Sequence, residues 1–146
     1  MTSAVSPEQS ENVGRPAELA FRQRVARFAA GAGIEQFLDV DAGGPAEPGR
    51  LLAGVDPAEP VAVSLIGPPD LLGEETTARL VGALVDAVAS GSFLSLTGAD
   101  PDRIERLLAG LDVVDPGVVA VHRWRPDADD VPDAADAVYG AVACKL

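Results

Sequence analysis

Short apolar runs alternate with stretches of helical period along this chain, and that alternation limits the fold more than any other feature. One helical stretch lies between the second and third apolar runs, and another lies between the third and fourth. The five runs, each predicted to be a strand, are QFLDV (36–40), VAVSLIG (61–67), SFLSLTG (92–98), VVAVHRW (118–124) and AVYGAVAC (137–144). Strand, helix, strand, helix, strand is typical of an α/β fold with a mostly parallel sheet and right-handed crossovers.

Start and stop signals place the helices around these strands. A first amphipathic helix is expected after Pro16, with Gly33 at its end. In the helix that precedes the fourth strand, Asp100 is a suitable N-cap, Pro101 fits the first turn, and Gly110 is a stop signal. The segment between the last two strands, RPDADDVPDAAD, has no helical period, so the sequence predicts a loop between antiparallel neighbours.

Length and composition indicate one domain. At 146 residues with 47% hydrophobic and only 4% aromatic residues, the chain is expected to build a single core mainly from Ala, Val and Leu. Residues 1–15 are polar and unpatterned, and they are predicted to be a flexible arm ahead of one α/β domain over residues 16–146.

Charge and residue usage exclude several classes of function. A formal net charge of -12 repels phosphate backbones and anionic lipid, so nucleic acid and membrane surfaces are not expected partners. The sequence contains no long apolar segment and no basic, apolar start, which predicts a cytoplasmic protein. Cys144 and His122 are single residues of their types, so we expect neither an internal disulfide nor a zinc centre.

Several polar side chains have a structural interpretation that is simpler than a functional one. Cys144 and His122 lie in predicted strands, where a buried thiol and a structural histidine are expected. Trp124 is expected to pack rather than to bind a partner. The arginines of the first helix are predicted to lie off its apolar stripe and to face the protein's own carboxylates: Arg22, Arg24 and Arg27. The aspartates of the last loop do not have calcium-loop spacing, so a mobile, solvated segment without metal is predicted: Asp127, Asp129, Asp130, Asp133 and Asp136.

Four sequence landmarks, in order, are similar to a known family. They are RVARFAAGAGIEQFLDVDAGGP, GSFLSLTGAD, LDVVDPGVVAVHRWRPD and YGAVACK. Through them the chain from Pro16 to Lys145 resembles the S-adenosylmethionine-dependent methyltransferase-like proteins of actinobacteria, formerly a domain of unknown function. The resemblance implies a Rossmann-like methyltransferase sheet whose last strands form an antiparallel hairpin, in agreement with the predicted C-terminal loop.

The same resemblance implies a cofactor loop directly after the first strand. By this comparison the candidate cofactor-binding residues are Asp39, Asp41, Gly43 and Gly44. Asp39 and Gly43 match the family's loop, but Asp41 stands where the family usually has glycine, so the loop is interpreted as vestigial. A carboxylate at this position crowds the turn and faces a ligand that itself carries a carboxylate. No catalytic residue is assigned.

The segment from Val40 to Pro60 is too short for the complete family fold. A single parallel crossover already takes a dozen or more residues, so the segment has room for one crossover but not for two further strands. Its prolines limit helix to a short piece around Gly49 to Val55. The expected fold is therefore a reduced Rossmann-like methyltransferase fold of about five strands, from which strands two and three of the full fold are missing.

Two functional hypotheses follow. In the first, the chain is a truncated methyltransferase-like protein without catalysis that acts as a protein-interaction or small-ligand-binding module and has no cofactor. In the second, it is an active S-adenosylmethionine-dependent methyltransferase of a small molecule whose pocket is completed by a dimer or a partner chain. The loss of two strands would turn QFLDV into a sheet edge, so a homodimer or another protein partner is expected in either case.

Overall fold

The structure is a computed structural model that describes residues 16–40, 48–65, 74–126 and 138–146. Its helices are α1 (Pro16–Gly31), α2 (Pro48–Leu51), α3 (Glu74–Ala87) and α4 (Pro101–Leu107), with one 3-10 turn at Val121–Arg123. Its strands are β1 (Gln36–Asp39), β2 (Val61–Leu65), β3 (Phe93–Gly98), β4 (Asp112–Val113), β5 (Val119–Ala120) and β6 (Tyr139–Cys144).

The strands form one six-stranded sheet in the order β1-β2-β3-β6-β4, with β5 also paired to β6. The first three strands are mutually parallel, whereas β6 is antiparallel to β3, β4 and β5. The predicted α/β class is therefore confirmed, with parallel strands at one side and an antiparallel hairpin of β5 and β6 at the C-terminus.

Two details of the strand prediction were wrong. The described sheet has six strands rather than five, because Asp112–Val113 forms an additional two-residue strand, β4, which is too short to give an alternating pattern. The run 118–124 is a strand only at Val119–Ala120, and the following residues turn as a 3-10 helix. His122 consequently lies half-buried in that turn and not in a strand.

The helix signals read from the sequence are confirmed at α4. Asp100 has extended backbone geometry, and its Oδ1 accepts a hydrogen bond of 3.0 Å from the Asp102 N–H. Pro101 is the first helical residue, and Gly110 has a φ of +89°, which glycine adopts without strain. The chain ends α1 at Gly31, shortly before Gly33, which also has a positive φ of +97°.

Helices cover the two faces of the sheet unequally. On one face α3 and α4 pack against alternate residues of the strands, including Val63, Leu94 and Ala143, in the largest core cluster. On the other face α1 and the 3-10 turn form smaller clusters around Phe21 and Ala29. Because α1 packs against β2 and β3, the same face of β1 stays open to solvent.

The connection from β1 to β2 is a compact crossover. After α2, Leu52 and Val55 pack against the α3 side of the core together with Leu38 of β1. The side chain of Gln36 fixes the return to β2, because its Oε1 accepts a bond of 2.7 Å from the Asp56 N–H. Its Nε2 donates to the Asp56 carbonyl at 3.1 Å and the Glu59 carbonyl at 3.2 Å. Between residues 48 and 60 the structure contains α2 and turns and no strand.

Candidate functional site

Ligands of open α/β sheets bind beyond the carboxyl ends of the parallel strands, which makes this edge the candidate site. Here β1 ends at Asp39, β2 at Leu65 and β3 at Gly98. Asp39 is exposed, and the next residue, Val40, is buried in the core. Of the four residues predicted for a cofactor loop, Asp39 alone is described; Asp41, Gly43 and Gly44 lie outside the described residues.

A row of small polar side chains continues from Asp39 across the sheet. Asp39 is in register with Ser64 of β2, and Ser64 is in register with Ser95 of β3. The Ser95 hydroxyl donates to the Ser64 hydroxyl at 3.1 Å, and both residues are buried. The two hydroxyls therefore satisfy each other under α1, and Asp39 is the charged, accessible member of the row.

A second carboxylate reaches this edge from the first turn of α1. Glu18 is only 7% exposed, and its Oε2 accepts a hydrogen bond of 3.0 Å from the hydroxyl of Thr97, which is fully buried near the end of β3. Glu18 was not predicted as a site residue, although its position three residues before Phe21 places it on the apolar stripe of the helix. This contact fixes the start of α1 against the carboxyl end of the sheet.

The prediction that all three arginines of α1 lie off its buried stripe was wrong for Arg24. Its side chain is 5% exposed, and its guanidinium donates through Nε to the Trp124 carbonyl at 2.8 Å and through Nη2 to the Val121 carbonyl at 2.7 Å. Val121 is the first residue of the 3-10 turn and Trp124 follows its last, and the Val121 carbonyl also accepts a bond of 3.2 Å from the Trp124 N–H. Arg24 thus joins α1 to the turn that leads into the last loop.

The tryptophan of the LDVVDPGVVAVHRWRPD landmark packs in the core, as predicted. Trp124 is fully buried, and its ring makes edge-to-face contacts with Phe21 and Phe28 at centroid distances of 5.6 Å and 5.7 Å. The next residue, Arg125, stacks over the Phe28 ring at 4.5 Å and donates to the Asp115 carbonyl at 2.8 Å. These described contacts of the landmark join α1 to the C-terminal half of the chain.

The residues of the YGAVACK landmark also make structural contacts. Gly140 lies so close to Phe21 and Val121 that a Cβ there would stand 2.9 Å from each side chain. Lys145 donates from Nζ to the carbonyls of Val85 at 2.6 Å and Val88 at 2.8 Å, so it caps the end of α3.

Cys144 is half-buried rather than fully buried, because it is the last residue of β6. Burial raises the pKa of the Cys144 thiol above its ordinary value, and the carboxylate of Asp112, its register partner on β4, raises that pKa further. A thiol with a raised pKa carries less thiolate at neutral pH, which agrees with the predicted inert role.

Alkylation of this thiol is expected to be slow at pH 8 and to speed up as the pH rises past the ordinary thiol value. Asp112→Asn removes the like charge, so it should lower the pKa of Cys144 and raise the iodoacetamide rate at pH 8. Asp115→Asn, an exposed change outside β4, is the matched control and should leave the rate unchanged. An equal rate in the Asp112 variant would contradict the electrostatic contribution.

Ionisable side chains are otherwise scattered. In the part of the chain that the structure describes, no three His, Cys, Asp or Glu side chains are grouped so that they would hold a metal ion. The aspartates predicted to form a solvated loop, Asp127 to Asp136, lie outside that part. No helix among the described residues is long and apolar enough to cross a membrane.

Two concave regions of the described surface lie away from the candidate site. One shallow depression lies at the opposite end of the sheet, near Ser92 and Lys145. A groove lies between α3 and α4, with Gly82 and Gly110 on its walls.

The described architecture defines a class of protein: an α/β chain with the methyltransferase form of the sheet. Residues 99–146 match the model of a family described as S-adenosyl methyltransferase, and this match covers the landmarks from α4 to β6. It confirms the resemblance inferred from the sequence. No curated protein matches the chain.

Solved structures support the same fold over nearly the whole length. A protein of Thermobifida fusca YX, provisionally assigned as a methyltransferase, has a TM-score of 0.74 at 22% identity, with 88% of this chain and 80% of that chain covered. A DUF574 family protein from Streptomyces avermitilis MA-4680 has a TM-score of 0.73 at 22% identity, with 99% of this chain and 93% of that chain covered. At this identity the likeness establishes the fold of the chain, which is methyltransferase-like.

Proposed function

We propose that this chain is a truncated methyltransferase-like domain that does not catalyse methyl transfer and that acts as a protein-interaction or small-ligand-binding module. One observation carries the proposal: β1 pairs with β2 on one side, and no described strand lies on its other side. In the family's full fold, the strand on that side supplies an acidic residue for the cofactor's ribose. The described residues of the β1–β2 connection form α2 and turns instead.

The chemistry of the edge supports the same proposal. The described residues there supply the exposed carboxylate of Asp39 and the buried pair of Glu18 and Thr97, which is already hydrogen-bonded within the protein. They do not supply a second strand against which an adenosine group would lie. The sequence has a second carboxylate two residues after Asp39, at Asp41, and added negative charge disfavours a ligand with a carboxylate of its own.

The alternative is an active S-adenosylmethionine-dependent methyltransferase whose pocket is completed by a second chain. The two hypotheses differ in thermal stabilisation by S-adenosylhomocysteine. A ligand present at 100 times its dissociation constant adds about 2.7 kcal/mol to the free energy of unfolding. We expect no shift of the melting temperature at submillimolar ligand, because a site without its second strand has at best millimolar affinity.

Asp41→Gly is the variant for the same assay, since it restores the residue usual in the family's loop. If the wild-type protein shows a weak shift, this variant should enlarge it. A melting temperature that rises by several degrees in the wild-type protein at micromolar ligand would favour the active enzyme and contradict the proposal.

A further inference from the structure

The outer edge of β1 presents main-chain groups that the described sheet does not use. The Val40 N–H donates to the Ser64 carbonyl at 2.8 Å, which places the main chain of residue 40 on the β2 side. Because the direction of the main-chain N–H and C=O groups alternates along a strand, those of Phe37 and Asp39 point away from β2. Two donors and two acceptors therefore line this edge.

An apolar side chain lies beside these groups. The side chain of Phe37 is 49% exposed, because α1 packs over β2 and β3 on that face of the sheet and does not cover β1. An edge strand that combines unpaired main-chain groups with an exposed aromatic ring is a template for strand addition. The opposite edge of the sheet, β4, has only two residues and offers a much shorter template.

We propose that the partner at this edge is a second copy of this chain, joined through antiparallel pairing of β1 with β1 about a two-fold axis. The inference rests on the proposed function, since the second copy occupies the side on which the full fold has its second strand. A two-fold contact uses the same patch on both copies, so neither edge is left open. The result is one continuous sheet through both subunits.

The register of this pairing follows from the alternation of side chains. In an antiparallel pair, residues directly opposite each other have their side chains on the same face of the sheet. The two-fold axis must therefore pass through one residue of β1 and not between two residues. An axis at Phe37 sets Glu35 opposite Asp39 of the second copy, and an axis at Asp39 sets the two Asp39 carboxylates opposite each other. Both arrangements oppose like charges within or next to the strand.

Among the described residues, an axis at Leu38 sets no two like charges opposite each other. Phe37 of each copy then lies opposite Asp39 of the other copy, which gives two such pairs. In each pair the N–H of one residue donates to the C=O of the other, so four hydrogen bonds form across the axis. The two Phe37 rings lie diagonally across the seam on the open face, a separation that aromatic side chains span. Leu38 lies opposite its own copy and keeps its contacts with the α3 side of the core.

The net charge of the protein gives the association a distinctive salt dependence. Each copy carries a formal charge of -12, so two copies repel at low ionic strength. Salt screens that repulsion while the strand pairing and the Phe37 contact remain. Dimerisation is expected to strengthen with added salt, whereas binding to a basic partner would weaken.

The test is light scattering of the full chain over a concentration series from low micromolar to near-millimolar, at two salt concentrations. The expected mass rises from 14.9 kDa toward twice that value, and the rise occurs at lower protein concentration in high salt. A mass that stays at one chain throughout overturns the proposal and makes residues 1–15 the first candidate cover. Capture of the edge by a basic protein, without self-association, overturns it as well.

Asp39→Pro is the decisive variant. It removes an outward N–H that the pairing with β2 does not use, so the monomer keeps its fold while the dimer loses two of its four hydrogen bonds. We expect dimerisation to weaken by at least about tenfold. Val113→Pro is the matched control, because Val113 is also exposed, also on an edge strand, and its N–H also points away from its partner. Equal effects of the two prolines would contradict the assigned edge.

Disulfide trapping checks the register. In a Cys144→Ser background, Leu38→Cys brings two thiols directly opposite each other and should form an intermolecular bond faster than Phe37→Cys. The reverse order would contradict the axis at Leu38. S-adenosylhomocysteine binding is a separate readout. A monomer that does not bind it refutes the dimer alone, and a dimer that binds it refutes the loss of the cofactor site alone.

Discussion

Replacing Trp124 by alanine is expected to lower the free energy of unfolding by about 3–5 kcal/mol, the largest effect of any single change considered for this protein. Trp124 is fully buried and contacts the rings of Phe21 and Phe28, so its loss leaves a cavity between α1 and the 3-10 turn. Urea unfolding followed by circular dichroism measures the change. Since the total free energy of unfolding of such a domain is only about 5–15 kcal/mol, the variant will be close to unfolding.

Trp124→Phe is the matched variant and keeps the protein folded. It retains an aromatic ring and removes an indole N–H that has no acceptor within the described residues, so no hydrogen bond seen there is lost. A loss of no more than about 1.5 kcal/mol is expected. Similar losses for both variants would mean that the position does not depend on ring packing.

The second large effect is expected at Arg24. Arg24→Met keeps the volume of the side chain but leaves the carbonyls of Val121 and Trp124 without its guanidinium. The Val121 carbonyl keeps a bond of 3.2 Å from the Trp124 N–H, but both carbonyls lose a hydrogen bond to a charged group. Such a bond contributes about 1.5–3 kcal/mol, so a loss of about 2–4 kcal/mol is predicted from the same unfolding measurement. Amide exchange should also accelerate in the 3-10 turn, because Arg24 holds that turn against α1.

Arg27→Met provides the comparison on the same helix. Arg27 is exposed, and surface pairs contribute little, so its replacement is expected to change stability by less than about 1 kcal/mol. If the two substitutions cost the same, the buried hydrogen bonds of Arg24 do not stabilise the fold as described.

The sequence predicted those elements whose signals are local. The N-cap at Asp100 with Pro101 behind it specifies the start of α4, and the apolar runs around Val63 and Leu94 specify strands that are buried on both faces. The landmarks shared with the family indicated the methyltransferase form of the sheet. In each case the residues that carry the signal also make the contacts that stabilise the element.

The failures are at long-range contacts between polar groups. The charge of Arg24 predicts a surface residue, yet Arg24 is buried because the partners of its guanidinium are carbonyls about a hundred residues further along the chain. Glu18 is buried for a similar reason, through Thr97. The burial of Glu18 could have been predicted from its position on the helix, since Glu18, Phe21 and Val25 lie on one stripe.

The location of the candidate site could be predicted from the sequence, but whether the site binds a ligand could not. The acidic end of β1 lies at the carboxyl edge of the sheet, as the pattern of Asp39 after an apolar strand indicates. Whether a ligand binds depends on what lies beside that strand, which is a property of the sheet and not of the loop. The short β1–β2 connection gave the one sequence signal for it, because its length limits how many strands it holds.

The most direct test of the account is calorimetric titration of the full-length, folded protein with S-adenosylhomocysteine. The central claim is that the chain retains the methyltransferase fold and has lost the cofactor site, so we predict no heat of binding at submillimolar ligand and a dissociation constant no tighter than millimolar. One site per chain with micromolar affinity would contradict this claim, and the open side of β1 would then have to be part of a working pocket.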